Sequence, residues 1–309
     1  MLLAGGSETT ILFVVSAVLL PMFTTYEACT LRLINREFNS AVSEYQWNDM
    51  DTEIKGHIRL WRSCFPRARA ANIAGYLRYG RVTDADFVHF EGLRRLNMSW
   101  CTFVTDAAFV HLKGIHTLDM RFCSQDTITD AAFVHLKGIH TLKMNYCRQK
   151  TITDAAFEHL KGIHTLQMNY CRQITDAAFK HLKGIHTLDM SRCTQLSISD
   201  KAFAHLKGIH TLRMRECTQQ SITDAAFVNL KGIHTLDMNT CTQITDAAFV
   251  NLKGIHKLDI SECRALTTAI APYLSGIGEL HTFDCSLDLK EFFRSEWRKQ
   301  IHPFILIEW

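Results

Sequence analysis

The residue type with the clearest chemical potential in this chain is cysteine, because most of its eleven cysteines recur at one regular interval. Thiols at defined spacings can form disulfides, bind zinc or act as nucleophiles. The sequence contains no C-x-x-C pair, and equivalent positions in neighbouring parallel strands lie only about 4.8 Å apart. We therefore expect a ladder of buried, reduced thiols, which implies a cytoplasmic or nuclear protein. Its members are Cys101, Cys123, Cys147, Cys171, Cys193, Cys217, Cys241, Cys263 and Cys285.

Histidine and aspartate recur with the same period and could serve a metal centre or acid–base catalysis. Repetition by duplication accounts for both sets, and no carboxylate or nucleophile is singled out beside one histidine. The sequence therefore predicts no catalytic residue, no metal and no cofactor, and the protein is interpreted as not an enzyme. The aspartates are interpreted as helix caps, and the histidines as neutral imidazoles that hydrogen-bond along one edge. These histidines are His116, His140, His164, His186, His210, His234 and His256.

The elements that position these side chains can be read from one copy of the repeat. Residues 188–191 alternate between apolar and polar types, which predicts a short strand with one buried face. Residues 174–176, Ile-Thr-Asp, predict a helix start, and Gly184 predicts its end. The helix between them is short, so we expect it to be partly 3₁₀. Strand, turn and short helix, repeated, predict parallel strands on one side of a solenoid and helices on the other.

This pattern resembles the cysteine-containing leucine-rich repeat. The family frame L-x-x-L-x-L-x-x-C is matched by TLDMSRC at 187–193, and the helix start by ITD at 174–176. Nine repeats are expected over 79–285, the first of them with Tyr79 in place of cysteine and VTDADF at 82–87. The resemblance implies an α/β leucine-rich-repeat solenoid, with parallel strands on the concave side and short helices on the convex side. A C-terminal cap is expected over 286–309.

Composition and charge favour a binding protein of ordinary globular type. Of the 309 residues, 47% are hydrophobic and 21% charged, and the net charge of +3 predicts no general attraction to nucleic acid or membrane. One segment, 48–78, is basic and is interpreted as a linker and N-terminal cap. A docking surface for an acidic partner is the alternative, and nucleic acid binding is a minor one. Its basic residues, with one just beyond, are Lys55, Arg59, Arg62, Arg67, Arg69, Arg78 and Arg81.

The apolar segment 11–23 has three interpretations. It is too short to span a bilayer, since a transmembrane helix needs about 20 apolar residues. A signal peptide would carry Lys or Arg before the apolar core, whereas Glu8 stands there instead, and no A-x-A cleavage site follows. We therefore expect a buried helix of a small helical domain, with secretion or membrane anchoring as the alternatives.

Residues 19–47, within a predicted domain 1–47, resemble an F-box. Glu27 and Ala28 match the family's acidic-apolar pair, and Trp47 its final tryptophan. The resemblance implies a substrate-recognition subunit of an SCF-type cullin–RING ubiquitin ligase, bound to a Skp-type adaptor and through it to a cullin. The alternative is a helical cap on a stand-alone scaffold, in which 8–47 would lie flat on the first coil. The implied adaptor-binding residues are Leu19, Leu20, Phe23, Leu33, Ile34 and Phe38.

The repeats also indicate where a client protein would bind. Buried positions are nearly identical between copies, whereas three outward columns of the strand region vary. Four successive aromatic residues in one column, followed by arginines, predict an exposed hot spot on the concave face. Drift after recent duplication is the alternative explanation for the variation. The predicted client-binding residues are Trp100, Phe122, Tyr146, Tyr170, Arg192, Arg213 and Arg215.

Overall fold

The computed structural model describes residues 15–54, 57–74, 81–299 and 305–307. Within them, eleven short strands form one parallel sheet in chain order. Residues 1–14, Lys55, Arg78 and Tyr79 lie outside the described residues. The strands are β1 (Ala70–Asn72), β2 (Arg95–Asn97), β3 (Thr117–Asp119), β4 (Thr141–Lys143), β5 (Thr165–Gln167), β6 (Thr187–Asp189), β7 (Thr211–Arg213), β8 (Thr235–Asp237), β9 (Lys257–Asp259), β10 (Glu279–His281) and β11 (Ile305–Ile307).

A short helix connects each strand from β1 to β9 to the next, which confirms the expected solenoid. Gly184, with φ of 85°, follows one of them at the expected stop. Most of the helices are partly or wholly 3₁₀, as their short sequence predicts. They span Asp84–Phe90, Asp106–Phe109 with Val110–Leu112, Asp130–Phe133 with Val134–Leu136, Asp154–Leu160, Asp176–Phe179 with Lys180–Leu182, Asp200–Phe203, Asp224–Leu230, Asp246–Asn251 and Thr268–Leu274.

The core is built from columns of identical residues in successive coils. In the register of the sheet, Leu118 of β3 faces Leu142 of β4, and the same pairing continues along the solenoid. Most helices bury one phenylalanine beneath the strands, as Phe179 shows, whereas Thr268–Leu274 has no phenylalanine and buries Ile270. Each coil therefore buries its apolar side chains against its two neighbours, which is how a solenoid forms a continuous core.

The cysteine ladder has the predicted form. All nine members are free and buried. Each thiol from Cys123 to Cys285 donates a hydrogen bond to a main-chain carbonyl of the preceding coil, as Cys193 does to Met168 at 3.2 Å. Burial raises the pKa of the Cys147 and Cys217 thiols to about 12. The thiols therefore serve as small core groups that link adjacent coils.

The interpretation of the aspartates as helix caps is wrong. The N-cap of the helix Asp200–Phe203 is Ser199, whose hydroxyl accepts from the Lys201 amide. The carboxylate of Asp176, in the preceding coil, accepts from the Ser199 amide at 2.7 Å and from its hydroxyl at 2.6 Å. A Thr or Ser hydroxyl is close enough to cap its own helix, so the carboxylate beside it is left to bond the next coil. Equivalent pairs run from Asp84–Thr105 to Asp246–Thr267.

The N-terminal helices pack onto the first coil as a cap. A π-helical turn (Val15–Leu19) and a 3₁₀ turn (Leu20–Met22) precede α1 (Thr25–Leu31), α2 (Arg36–Glu44) and α3 (Ile58–Cys64). Their inner sides join the continuous core of the solenoid. At the far end, a helix at Leu287–Lys299 follows β10.

Trp47 joins this cap to the sheet. Its indole N–H donates to the Val42 carbonyl at 2.8 Å, and its ring lies edge-on to Phe65, 5.6 Å away. Its carbonyl accepts from the amides of Arg69 and Ala70 at the start of β1. The parallel sheet therefore begins inside segment 48–78, ahead of residue 79.

Two arginines of the basic region, Arg62 and Arg81, contact neighbouring parts of the solenoid. Arg62 donates to the carbonyls of Ala68, at 3.1 Å, and Glu91, at 2.6 Å, and so joins α3 to the next coil. The Arg81 guanidinium lies 4.4 Å from the centre of the Phe103 ring. Among the residues that the structure describes, no helix is long and apolar enough to cross a membrane.

Candidate protein-binding site

The four aromatic residues form one continuous stack, here called the aromatic ladder: Trp100, Phe122, Tyr146 and Tyr170. Successive ring centroids lie 4.1, 4.6 and 4.3 Å apart, with nearly parallel planes. Trp100 is 47% exposed and the other three are half-buried. The rings cover one another's faces and leave a strip of ring edges on the surface, without burial under a terminal cap.

The backbone of the ladder is strained. Each ladder residue follows its strand by three positions and has φ between 62° and 68°, in the left-handed region. Glycine, asparagine and aspartate occupy this region at low cost, whereas a bulky side chain there is a true outlier. The turn before each cysteine requires the left-handed conformation, but nothing in the turn requires an aromatic ring. Strain of this kind clusters at binding sites.

Arginine side chains continue the aromatic ladder. The guanidinium of Arg192, the next residue in the column, lies 5.0 Å from the centre of the Tyr170 ring and contacts its hydroxyl. It also pairs with Glu216, whose carboxylate accepts from Nε at 2.6 Å. Arg148, which sequence reasoning missed, lies 5.2 and 4.9 Å from the rings of Tyr146 and Tyr170. The surface is therefore aromatic with a cationic border.

A cavity of about 430 Å³ opens beside the C-terminal end of the ladder. Tyr146, Tyr170 and three arginines contribute to its lining. Arg215 pairs with the carboxylates of Asp237 and Asp259, which hold it in place. Arg213 is exposed, and it forms no ion pair with any described residue. These positions bring all seven predicted client-binding residues to one surface.

Several members of the first two columns taken as outward are buried. The carboxylate of Asp189 accepts from the amide and the hydroxyl of Ser191, at 3.1 and 2.7 Å, and both residues are buried. Asp119, Asp237 and Asp259 are likewise buried. Burial raises the pKa of Asp237, and the nearby Asp259 carboxylate adds to the effect while Arg215 opposes it. The buried members of these columns therefore shape the turns, whereas Arg213 and Arg215 of the same columns remain exposed beside the aromatic ladder.

The histidines before the strands also stack, and this set is called the histidine ladder: His116, His140, His164, His186, His210, His234 and His256. Ring centroids lie 4.5 to 4.7 Å apart. In most of them Nδ1 pairs with the hydroxyl of the following threonine, as in His186 with Thr187 at 3.1 Å. The imidazoles therefore form hydrogen bonds along the edge with the neighbouring threonines, and their rings also stack, except that His234 and His256 meet edge to face. Within the described residues, no group of three or more His, Cys, Asp or Glu is placed to hold a metal ion.

A ladder of glutamines was not predicted, although the sequence contains the pattern that identifies it. A glutamine stands two residues after six of the cysteines, and its amide donates to the carbonyl of the cysteine in the preceding coil, as Gln149 does to Cys123 at 3.1 Å. The amide oxygens of these glutamines are buried without a protein partner. The recurrence of C-x-Q in the sequence could have identified them. They are Gln125, Gln149, Gln173, Gln195, Gln219 and Gln243.

The predicted adaptor-binding residues divide into three groups. Leu33 and Ile34, between α1 and α2, are 85% and 59% exposed, and Leu19 is 37% exposed. Phe23 and Phe38 are partly buried against the core. Leu20 is fully buried, so its assignment as an adaptor contact is wrong: it packs inside the cap.

Comparisons with known proteins identify the repeats. Six copies of the BspA type leucine rich repeat region match residues 93–197 and 173–292, which together exceed half of the chain. No F-box domain matches the N-terminal residues. The search of curated proteins finds no match to this chain.

Several solved structures share the fold. Rad7, from a crystal structure of Rad7 and Elc1 complex in yeast, matches with a TM-score of 0.54 and 14% identity over 98% of this chain and 88% of its own. Mouse RP105, solved with MD-1, matches with a TM-score of 0.58 and 16% identity over 86% of this chain and 47% of its own. TLR13, solved with ssRNA13, matches with a TM-score of 0.53 and 17% identity over 72% of this chain and 37% of its own. This chain thus spans less than half of the latter two proteins.

Proposed function

Because this chain belongs to the BspA-type leucine-rich repeat family, we propose that it is a non-enzymatic scaffold that binds another protein through the aromatic ladder and its arginines. Its more specific role is substrate recognition in an SCF-type cullin–RING ubiquitin ligase of the cytoplasm or nucleus. The client binds the ladder surface, and a Skp-type adaptor binds the N-terminal helices. The observation that carries the proposal is the stack of four rings, with their edges at the surface, that continues into Arg192.

The composition of the ladder surface supports protein recognition. Tyrosine, tryptophan and arginine dominate binding hot spots, because they bury large areas at low cost in conformational entropy. Here they are held in place before binding by stacking and by the pairing of Arg192 with Glu216. A surface that is already ordered loses less entropy when a partner binds.

The client-binding part is tested with the triple variant Phe122→Ser, Tyr146→Ser, Tyr170→Ser. The matched control is Val134→Ser, Val228→Ser, Val250→Ser, which removes three exposed apolar side chains from the helices. Partners are captured by proximity labelling from cells that express each full chain, and the affinity of the recovered partner is then measured. We expect the ladder variant to bind at least about 100-fold more weakly, a loss of about 3 kcal/mol, and the control to bind normally. Equal binding by both variants would refute the assignment of this surface.

The adaptor part rests on the exposed apolar residues that precede the solenoid. Leu33 and Ile34 lie in the turn after α1, where nothing in the described chain covers them. Leu19 adds to this apolar surface, while Phe23 and Phe38 support it from within. The likeness to Rad7 extends over 98% of this chain. Since that protein was solved with a partner, Elc1, the comparison is compatible with a partner here, but it supports the fold alone.

A purified Skp-type adaptor provides the test. Leu33→Asp with Ile34→Asp should abolish its binding, because two carboxylates would be desolvated in an apolar interface. The control is Leu196→Asp with Leu287→Asp, two exposed leucines elsewhere on the chain, which should bind as the wild type does. If the wild-type chain shows no binding at micromolar concentrations, the ligase role is excluded.

The second candidate is a stand-alone recognition scaffold whose N-terminal helices serve as a cap. The specific observation in its favour is the packing of α3 on the first helix of the solenoid, where the rings of Trp61 and Phe90 lie 6.3 Å apart, together with the hydrogen bonds of the Trp47 carbonyl to the start of β1. The adaptor experiment separates the two candidates, because both require the aromatic ladder and only the ligase receptor requires Leu33 and Ile34.

A further inference from the structure

Seven lysines form a second charged feature, here called the lysine ladder, which precedes the strands along the chain whereas the aromatic ladder follows them. Each lysine stands three residues before a histidine of the histidine ladder, in the turn that joins helix to strand. All seven are exposed. They are Lys113, Lys137, Lys161, Lys183, Lys207, Lys231 and Lys253.

The stacked histidines fix the spacing of the lysine ladder. Because their rings lie 4.5 to 4.7 Å apart, successive turns follow one another at about the 4.8 Å spacing of neighbouring strands. The lysines are therefore a row of like charges, one to a coil, over seven successive coils.

Within the described part of the chain, little opposite charge compensates this row. Lys161 lies 3.9 Å from Glu158, and among the described residues the other six lysines form no ion pair. Neighbouring like charges on adjacent coils repel one another. The edge thus has a high local density of positive charge, although the whole chain has a net charge of only +3. An anionic partner would relieve this repulsion.

We propose that the lysine ladder binds an acidic α-helix of a partner protein, laid along the edge of the solenoid. A helix with one carboxylate per turn presents charges about 5.4 Å apart, close to the coil spacing of about 4.8 Å. Across six intervals the mismatch accumulates to about 4 Å, which flexible lysine stems absorb. The imidazoles beside the lysines supply further hydrogen-bonding groups for the carboxylates.

The chemistry of the edge favours an acidic helix over single-stranded nucleic acid. Single strands bind through aromatic faces on which bases stack, in addition to positive charge. The ring faces of the histidine ladder are already occupied by one another. The remaining residues of each turn, such as Gly184 and the buried Ile185, offer no such face.

A synthetic helix tests the proposal on the full chain. The probe is a fluorescent alanine-based peptide with glutamates spaced alternately by three and four positions, so that they lie on one face. A second peptide, with the same glutamates but with prolines in place of two central alanines, removes the helix and keeps the charge. A thymidine oligonucleotide with the same number of negative charges provides the nucleic acid comparison. Binding is measured by fluorescence anisotropy over a series of salt concentrations.

Two triple variants distinguish the ladder from general charge. Lys183→Gln, Lys207→Gln, Lys231→Gln removes three adjacent ladder positions, and Arg36→Gln, Lys150→Gln, Lys201→Gln removes three exposed cations elsewhere. Both lower the net charge by three. We expect about tenfold weaker binding of the helical peptide for the first variant and less than about twofold for the second. The wild type should also bind the helical peptide more tightly than the proline peptide.

Three results would overturn the proposal: equal losses for the two variants, equal binding of the two peptides, or tighter binding of the oligonucleotide. The adaptor and client experiments have separate variants and readouts. Failure of the lysine ladder proposal would therefore leave the proposed function intact, and the reverse also holds.

Discussion

At the scale of single residues, the cysteine ladder shows how a reactive side chain becomes an inert one. A thiolate buried among apolar groups loses its hydration, so burial raises the pKa of the Cys217 thiol to about 12. The neutral thiol then donates a hydrogen bond to the Met190 carbonyl of the preceding coil, 3.3 Å away. Reactivity is lost through the same contacts that hold the coils together.

Thiol accessibility gives the first prediction. In the native protein, a thiol reagent at pH 8 should modify Cys29, which is exposed, and then Cys64, which is half-buried. The pKa of Cys29 is raised by desolvation and by the nearby Cys64, so its reaction should be slow for an exposed thiol. The nine ladder cysteines should react only after unfolding in denaturant. Mass spectrometry of the labelled chain counts the modified sites, and fast labelling of Cys171 or Cys193 would contradict the buried ladder.

At the scale of the elements, the aspartate–hydroxyl pairs tie each helix to the next. The carboxylate of Asp176 accepts two hydrogen bonds from Ser199 of the following coil. Hydrogen bonds to a charged group contribute about 1.5–3 kcal/mol each. Single coils are too small to be stable alone, so these bonds add to the interface between neighbours.

A double-mutant cycle tests this assignment. Asp176→Ala should lower the free energy of unfolding by about 2 kcal/mol, and Ser199→Ala by about 1–2 kcal/mol. If the two side chains bond each other, the double variant should lose at least about 0.5 kcal/mol less than the sum of the single losses. The measurement is urea unfolding followed by circular dichroism. Strict additivity would restore the simple capping interpretation.

Two tryptophans make a matched comparison for the N-terminal cap. Trp47 is buried, donates to the Val42 carbonyl and packs on Phe65, so Trp47→Ala should cost about 3–5 kcal/mol. Trp100 is 47% exposed, so Trp100→Ala should cost about 1 kcal/mol, mainly from lost stacking. Chemical denaturation measures the loss of unfolding free energy in both variants. Hydrogen exchange should show faster opening of β1 and β2 only in Trp47→Ala. Similar costs would mean that the cap does not stabilise the solenoid.

At the scale of the whole molecule, the solenoid multiplies any interaction that is repeated in each coil. Stability in such a protein is approximately the sum of coil and interface contributions. Protonation of the histidine ladder should therefore change the stability of the whole folded chain. Desolvation, and then the charges of neighbouring imidazoles, lower the pKa of His140 and of His210 below 6.5.

The sign of the resulting pH dependence is fixed. Because these folded-state pKa values are lowered, the unfolded chain binds more protons near pH 6 than the folded chain does. Stability should be complete above about pH 6.5 and should fall as the pH drops below that value. Thermal melting between pH 7.5 and 5 measures the slope. His140→Asn with His210→Asn should flatten it, whereas His135→Asn with His159→Asn, which lie in the helices, should leave a steeper slope than the ladder variant. Identical slopes for the wild type and the ladder variant would show that the histidine ladder does not contribute to the pH dependence of stability.

The sequence by itself determined the fold and the cysteine ladder, because both follow from local periodicity. Alternation marks the strands, and Gly184 and its equivalents mark the helix ends. A regular repeat with a period in the range of about 20–50 residues requires stacked coils. The aromatic ladder was also predictable as a column, since register in a parallel solenoid follows directly from the repeat.

What only the tertiary structure decided is which partner each repeated polar group selects. Asp176 could cap its own helix or bond the next coil. The hydroxyl of Thr175 caps that helix, and the Asp176 carboxylate bonds Ser199 of the next coil. The burial of Leu20 in the cap and the left-handed backbone of Tyr146 likewise arise from packing and turn geometry between segments. Local periodicity shows that a side chain recurs, whereas its exposure and its contacts are set by neighbours that the chain brings together only when it folds.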